Sequence, residues 1–282
     1  MVRIFADSTC DLSPELIARY NISIIPLYVV LGEDEYLDGV NITADEIFKW
    51  SDEHNTTPKT AAPSIQTAID SFEKAISAGD EIVAFSISEK MSTTANVFRM
   101  AADELDAAER ISVVDSANLS TGIGLLVIEA AIKAQEGKSR EEIVKYIEEL
   151  RPLVRASFVI DTLTYLHRGG RCTGVAALAG AVLGIHPQID VVDGAMQPGR
   201  KFRGRIESVI EKYMMSLEED LLKARPDRVF ITHSPVSQET EDAVRKYLES
   251  LGYFKEILAT DAGGVICSHC GPGTLGVLFI SS

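Results

Sequence analysis

The chain has 282 residues, which is long for one average domain and sufficient for two, so a core large enough to surround a small ligand is expected. Lys and Arg number 27 against 42 Asp and Glu, and the formal net charge of -15 argues against nucleic acid as a partner. No run reaches the ~18 to 20 apolar residues that a membrane span needs, and no apolar leader opens the chain, so we expect a soluble, cytoplasmic protein without stable membrane insertion.

Strand and helix patterns alternate through the first half of the chain. Thr43 with Glu46 and Ser139 with Glu142 form capping-box patterns at two helix starts. A repeated order of strand, loop and helix is typical of a mostly parallel sheet whose functional loops leave the carboxyl ends of the strands. The predicted strands are 2–7, 22–31, 81–88 and 111–116, and the predicted helices are 13–20, 47–50, 94–105, 120–137 and 141–153.

The pattern changes at about Ala156. A hairpin joined at Asp193-Gly194 is predicted, together with a small-residue helix over 175–185. We therefore expect an α/β protein of two domains, 1–155 with a mostly parallel sheet and flanking helices, and 156–282 with an α+β fold and some antiparallel strands. Their cleft is the expected ligand site. The other predicted elements of this half are strands 156–161, 186–192, 195–202, 228–234 and 275–281 and helices 205–222 and 238–252.

Three hydroxyl-rich loops follow predicted strands. They contain Thr60 and Ser64 in "KTAAPS", Ser92 in "MSTTAN", and the stretch 115–124, "DSANLSTGIG". Any single hydroxyl of this kind is more often an ordinary helix cap. Three such loops together favour a site for a carboxylate or an oxyanion, because loops after strands of one sheet gather at one edge.

Cys267 and Cys270 have C-x-x-C spacing, with His269 between them. A structural zinc needs about four ligands, and no second Cys or His pair stands at the required spacing, so metal and redox roles are disfavoured. Four reduced cysteines, with Cys267 as a buried core thiol, are expected. His269 is either a structural histidine or a ligand-binding one in the Gly-rich turn 271–273, where backbone N–H groups converge on an anion.

Basic residues cluster at two places in this acidic chain. Arg168 and Arg171 flank a double glycine, and Arg171 has the planar donors that bind a carboxylate or phosphate. The second cluster indicates a phosphate or an acidic partner surface. Its members are Arg200, Lys201, Arg203 and Arg205. The small residues of helix 175–185 fit either tight packing or room for an apolar ligand chain, and both readings stay open.

Eight ordered segments of the chain resemble the DegV family of fatty-acid-binding proteins, whose best understood members are the acyl-carrying subunits of bacterial fatty acid kinase. The resemblance implies a DegV-like two-domain fold with a fatty acid between the domains. It implies that Thr60, Ser92 and His269 bind the carboxylate with Arg171 near it, and that Arg203 and Arg205 face the kinase. Ala61, Ala62 and Thr93 depart from the family pattern. The segments are "DSTCDL", "TAAPS", "MSTTAN", "VVDSANLSTGIG", "LTYLHRGGR", "DGAMQPGRKFRGR", "ITHS" and "HCGPGTLG".

The leading hypothesis is a non-catalytic carrier of a long-chain fatty acid. It presents the carboxylate to the catalytic subunit of a fatty acid kinase, and the acyl phosphate feeds phospholipid synthesis. No phosphate-binding loop of the Gly-x-x-x-x-Gly-Lys-Ser/Thr type is present, and no cofactor is expected. The alternative is a lipid-ester hydrolase with Ser92 as nucleophile and His269 as base, although Gly-x-Ser-x-Gly is absent around Ser92. A metal-dependent regulator using Cys267 and Cys270 is a third class.

Overall fold

The computed structural model describes residues 1–172 and 184–282. Its strands are β1 (Val2–Asp7), β2 (Ile22–Ile25), β3 (Tyr28–Leu31), β4 (Asp34–Leu37), β5 (Lys59–Ala61), β6 (Glu81–Ser86), β7 (Ile111–Asp115), β8 (Val154–Val159), β9 (Ile185–Val192), β10 (Ala195–Arg203), β11 (Ala224–His233), β12 (Glu256–Asp261) and β13 (Leu275–Ser281). Its α-helices are α1 (Pro14–Tyr20), α2 (Ala44–His54), α3 (Ile65–Ser77), α4 (Thr94–Glu104), α5 (Thr121–Gln135), α6 (Arg140–Leu150), α7 (Thr164–Gly169), α8 (Ile206–Leu221), α9 (Gln238–Ser250) and α10 (Gly264–Cys270).

The strands form three sheets. The parallel sheet has the order β2-β1-β6-β7, and all its pairings are parallel. The mixed sheet has the order β10-β9-β8-β13-β11-β12, in which β11 and β12 run parallel and the other pairs antiparallel. The small sheet is antiparallel, with the order β4-β3-β5. A mixed α/β fold with a parallel sheet from the first half and a largely antiparallel sheet from the second is confirmed.

Local capping chemistry forms as the sequence predicts. Thr43 and Glu46 exchange both hydrogen bonds of a capping box at the start of α2, and Ser139 and Glu142 do the same at α6. Each box supplies partners for N–H groups that the first turn of a helix leaves unpaired. Helix α5 is followed by Gly137 with φ of 79°, in agreement with the predicted stop.

Helix α5 is the central element of the core. Residues 121–131 of this helix are buried on every face, as its nearly uninterrupted apolar sequence requires. It contacts β1 and β6 of the parallel sheet as well as β8 and β13 of the mixed sheet. One apolar cluster therefore includes Ile4, Ile123, Phe158 and Phe230, which come from both halves of the chain. The division into domains 1–155 and 156–282 stays a prediction.

The predicted single strand over 22–31 is wrong. Strand β2 ends at Ile25, and Pro26 has no N–H to continue a ladder. The chain leaves the parallel sheet there and forms β3 in the small sheet, paired with β4 and β5, which sequence patterns did not predict. Strand β12 and helix α10 were also not predicted. Of the predicted helix over 175–185, Ile185 begins β9, and residues 175–183 lie outside the described residues.

The predicted hairpin of β9 and β10 is confirmed. Asp193 and Gly194 both have positive φ, of 49° and 77°, as a two-residue hairpin turn of the favoured type requires. The tip contacts the loop that follows β6, because the Ser88 hydroxyl donates to the Gly194 carbonyl at 2.6 Å. A Cβ on Gly194 would lie 2.6 Å from Ser88 Oγ. Glycine is thus required here both by backbone conformation and by close contact.

We expect Gly194→Ala to lower the free energy of unfolding by about 2 to 4 kcal/mol, because positive φ and steric overlap both penalise the methyl group. Gly137→Ala is the matched control, since Gly137 has φ of 79° and nothing within 4 Å of its Cβ position. The control should lose only the conformational part, about 1 to 2 kcal/mol. Equal losses in urea denaturation would contradict a tight contact at the hairpin tip.

Candidate functional site

A cavity of about 470 Å³ lies between elements from the two halves of the chain. This volume falls in the range of about 300 to 1,000 Å³ that is usual for small-molecule sites. Polar side chains gather beside a larger apolar lining. The lining residues are Leu27, Thr60, Ala61, Ala62, Ile87, Glu89, Lys90, Met91, Ser92, Thr93, Leu119, Arg171, Met196, Val265, Ile266, His269 and Cys270. Thr60, Ser92, Arg171 and His269, which the sequence singled out, therefore all line one cavity.

Thr60 and His269 are joined directly. Thr60 Oγ1 lies 2.8 Å from His269 Nε2, although 209 positions separate the two residues. Thr60 is on β5, opposite Val29 of β3, and His269 is in the last turn of α10. The contact holds the small sheet against α10 at the polar end of the cavity.

His269 is neutral at physiological pH. Burial, and secondarily the positive charge of Arg171, lower its pKa from 6.5 to about 4. Nδ1 is buried without a hydrogen-bond partner and faces Gly169, on which a Cβ would lie 2.5 Å from that nitrogen. An unpaired lone pair costs less than an unpaired buried N–H, so the tautomer with hydrogen on Nε2 is favoured. In that tautomer Nε2 donates to Thr60, which leaves the Thr60 hydroxyl proton available to a ligand.

Two buried carboxylates position helix α10. The N–H of Gly263 donates to Asp11 Oδ1 at 2.9 Å, and the N–H of Gly264 donates to Asp38 Oδ1 at 2.6 Å. Burial raises the pKa of both carboxyl groups, most strongly that of Asp11. A Cβ on Gly264 would lie 3.0 Å from an Ile47 methyl and 3.1 Å from Asp38. Glycine thus allows the backbone to approach the carboxylates.

Asp11 and Asp38 are the residues of the site that sequence reasoning missed. Asp11 lies in "DSTCDL", which was recognised only as a segment of the family resemblance. Asp11 follows the 3-10 turn Ser8–Cys10 after β1. Asp38 follows a strand that was itself not predicted. The distant helix that these acids hold cannot be read from local sequence.

Ser92 is tied to its own loop. Its hydroxyl lies 2.9 Å from Thr94 Oγ1 and accepts the N–H of Thr94, the first residue of α4, at 3.3 Å. The loop is fixed at its start because Asp7 accepts the N–H of Ile87 at 2.7 Å. Burial raises the pKa of Asp7 to about 6. Ser92 remains half-buried and lines the cavity.

The expectation that three hydroxyl loops meet at one edge of one sheet is wrong in two respects. Thr60 lies on β5 of the small sheet and does not follow a strand of the parallel sheet. The loop 115–124 contributes Leu119 to the cavity but none of its hydroxyls. Ser120, for example, donates to Asp11. Of the loops at the carboxyl edge of the parallel sheet, the Ser92 loop is therefore the one that brings polar groups to the cavity.

The arginines occupy two different places. Arg171 lines the cavity, is exposed, and donates to the Gly169 carbonyl at 2.8 Å. Arg203 and Arg205 are exposed where β10 ends and α8 begins, and neither lines the cavity. The basic segment thus lies outside the ligand cavity.

His269 lies in the last turn of a helix and not in the predicted Gly-rich turn, which follows the helix at 271–273 and begins with Gly271 at φ of 83°. Cys267 is fully buried, as predicted, and burial raises the pKa of both Cys267 and Cys270 far above the ordinary thiol value.

Within 1–172 and 184–282, no group of three His, Cys, Asp or Glu side chains is arranged to hold a metal ion. None of the helices in these ranges is long and apolar enough to cross a membrane.

The hydrolase alternative lacks its required contacts. A catalytic base has to hydrogen-bond the nucleophile and is usually oriented by an acid. Ser92 bonds to Thr94, whereas His269 Nε2 is engaged by Thr60. Nδ1 of His269 has no acid partner among the described residues. The geometry is that of a polar pocket end and not of a nucleophile with its base.

Known proteins are similar to this chain over its whole length. A family model described as "Uncharacterised protein, DegV family" matches residues 1–282. A DegV domain-containing protein of Clostridium perfringens is 31% identical over 282 residues, covering 99% of this chain and 98% of the relative.

Solved structures agree over the whole chain. A DegV family protein of Thermus thermophilus, described as binding fatty acid, superimposes with a TM-score of 0.91 at 30% identity, covering 100% of this chain and 99% of the other. A stearic acid-binding protein of Eubacterium ventriosum gives a TM-score of 0.86 at 29% identity and covers 100% and 98%.

The pKa of His269 gives a testable pH dependence. The unfolded chain protonates this residue near pH 6.5 and the folded chain near 4, so the folded state binds fewer protons between these values. His269 therefore lowers the free energy of unfolding as pH falls through this window. We expect the NMR signal of its ring, assigned among five histidines by its loss in His269→Gln, to stay unchanged down to about pH 5.5. Titration near pH 6.5 would show that water reaches the ring.

Proposed function

The chain belongs to the DegV family, and from this premise we propose that it binds a long-chain fatty acid in the cavity described above. The carboxylate is bound by the hydroxyls of Thr60 and Ser92, with His269 behind Thr60 and Arg171 at the exposed side. The observation that carries the proposal is the Thr60–His269 pair in a cavity whose lining is mostly apolar.

The energetics support a ligand of this class. A chain of roughly fourteen methylenes contributes ~11 kcal/mol gross at about 0.8 kcal/mol for each buried methylene, before ordering and desolvation costs. A buried carboxylate without partners would offset much of this. Hydroxyl donors and a neutral histidine lower that cost without a deeply buried ion pair. The head group then remains at the polar end, close to exposed Arg171.

We propose further that the protein is the acyl-carrying, non-catalytic partner of a fatty acid kinase. In the transfer, a carboxylate oxygen forms a bond to the γ-phosphorus of ATP, and the bond from that phosphorus to the β-phosphate oxygen breaks, releasing ADP. The kinase supplies ATP, since this sequence has no phosphate-binding loop. Arg203 and Arg205, exposed and outside the cavity, form the contact surface for the kinase. The acyl phosphate feeds phospholipid synthesis.

Native mass spectrometry of delipidated protein with hexadecanoic acid is the direct test of binding, and we expect one bound molecule per chain. Thr60→Val should weaken the affinity about tenfold to about a hundredfold, because a hydrogen bond to a charged group is worth about 1.5 to 3 kcal/mol. Thr56→Val, at an exposed position away from the cavity, is the matched control. Protein that ignores hexadecanoic acid would overturn the proposal.

The partner surface has its own test. Arg203→Glu combined with Arg205→Glu should reduce acyl phosphate formation by an added fatty acid kinase at least tenfold, because like charges then replace the basic contact. Hexadecanoic acid binding should remain at the wild-type level, since neither arginine lines the cavity. Lys49→Glu with Lys145→Glu makes the same change of charge at other exposed positions. Equal losses in both double variants would indicate a general charge effect and remove the assigned surface.

A further inference from the structure

Lys90 lines the cavity two positions before Ser92 and takes no part in the carboxylate site described above. Its side chain is exposed and forms no ion pair within residues 1–172 and 184–282. Its backbone is held, because the N–H of Lys90 donates to Ser88 Oγ at 3.2 Å. A flexible ammonium group on a fixed backbone is therefore present in the lining of the cavity, beside the Ser92 loop.

The unpaired positive charges of the cavity lining exceed the single negative charge of a carboxylate. Glu89, Lys90 and Arg171 are the Lys, Arg, Asp and Glu side chains among the described residues of the lining. Glu89 is already paired with Arg99 at 2.5 Å, outside the lining. His269 is neutral, as its lowered pKa shows. Lys90 and Arg171 thus carry two positive charges that no acid among residues 1–172 and 184–282 pairs, whereas a fatty acid carboxylate carries one negative charge.

A phosphorylated head group has the matching charge. A phosphate monoester or acyl phosphate carries about two negative charges at neutral pH and several strong acceptor oxygens. Lysine binds phosphate as a mobile point charge, while arginine supplies planar paired donors. Both cations line the same cavity, and they come from opposite halves of the chain.

We propose that Lys90 binds the phosphoryl group of the acyl phosphate and, with Arg171, makes the cavity selective for the phosphorylated head group over the free carboxylate. This assignment rests on the proposed function, because an acyl phosphate arises only if the bound fatty acid is phosphorylated. Lys90 acts on the product, whereas Thr60, Ser92 and His269 form the carboxylate end. The bound product is retained by a cation that the unmodified acid does not need.

The test compares two ligands with the same chain, hexadecanoate and the stable analogue hexadecyl phosphate, by calorimetry on delipidated protein. We expect Lys90→Gln to weaken hexadecyl phosphate binding about tenfold more than hexadecanoate binding, and Lys90→Arg to restore most of the difference. Lys74→Gln removes the same charge from an exposed position of α3 away from the cavity and should leave the ratio of the two affinities unchanged.

The outcomes separate this inference from the function on which it rests. Wild-type protein that fails to bind hexadecanoate overturns the proposed function. Wild-type protein that binds hexadecanoate while Lys90→Gln leaves the ratio of affinities unchanged overturns only the role of Lys90. The same change of ratio in Lys74→Gln also overturns it, because the effect would then come from net charge alone. Equal thermal midpoints of the variants exclude a folding defect.

Discussion

The hydrogen bonds from Gly263 and Gly264 to two buried carboxylates are the constraint on which the candidate site depends. Asp11 and Asp38 belong to the first half of the chain, whereas α10 belongs to the second, so these bonds fix the two halves relative to each other at the site. A hydrogen bond of this kind contributes about 0.5 to 1.5 kcal/mol to stability. Helix α10 rises only about 10 Å over its length, so a shift at its first turn reaches His269 at its end.

At the polar end of the cavity each group is held in place by the one before it. Asp38 is itself held by the Ser8 hydroxyl at 2.7 Å, α10 transmits its position to His269, and His269 orients Thr60. The charged Arg171 stays exposed, where water screens it and its desolvation cost is small. A neutral histidine at this point fixes a hydroxyl without adding a buried ion. The lowered pKa of His269 is therefore a consequence of the same burial that makes the pair rigid.

Local chemistry could be read from the sequence, and contacts between distant segments could not. The Asp193-Gly194 turn and both capping boxes are set by neighbouring residues, and all three form. Pro26 indicated locally that 22–31 is not one strand. The pairing of β3 with β5 could not be predicted, because β5 lies far along the chain. Helix α10 escaped prediction because glycines open it and its stability comes from Asp11 and Asp38.

The site shows the same difference between local chemistry, which could be read from the sequence, and contacts between distant segments, which could not. Thr60, Ser92, Arg171 and His269 were predicted from the family resemblance, and the structure brings all four to one cavity. Their placement differs from the prediction, since Thr60 comes from a separate sheet and His269 from a helix. Spacing along the chain carries no information about a contact that spans 209 positions. Asp11 and Asp38 were missed because they act on backbone N–H groups, which no residue pattern displays.

The hairpin of β9 and β10 connects the cavity with the exposed basic segment. Its tip bonds to Ser88 in the loop that leads to Ser92, and Met196, two residues beyond the tip, lines the cavity. Arg203 ends the same strand, and an extended strand of nine residues spans about 27 Å. A partner bound at Arg203 and Arg205 therefore holds one end of an element whose other end contacts the Ser92 loop. The pairing of β10 with β9 is interrupted by an irregularity between Pro198 and Lys201, so the end at Arg203 and the end at the cavity are two separately paired stretches of one hairpin.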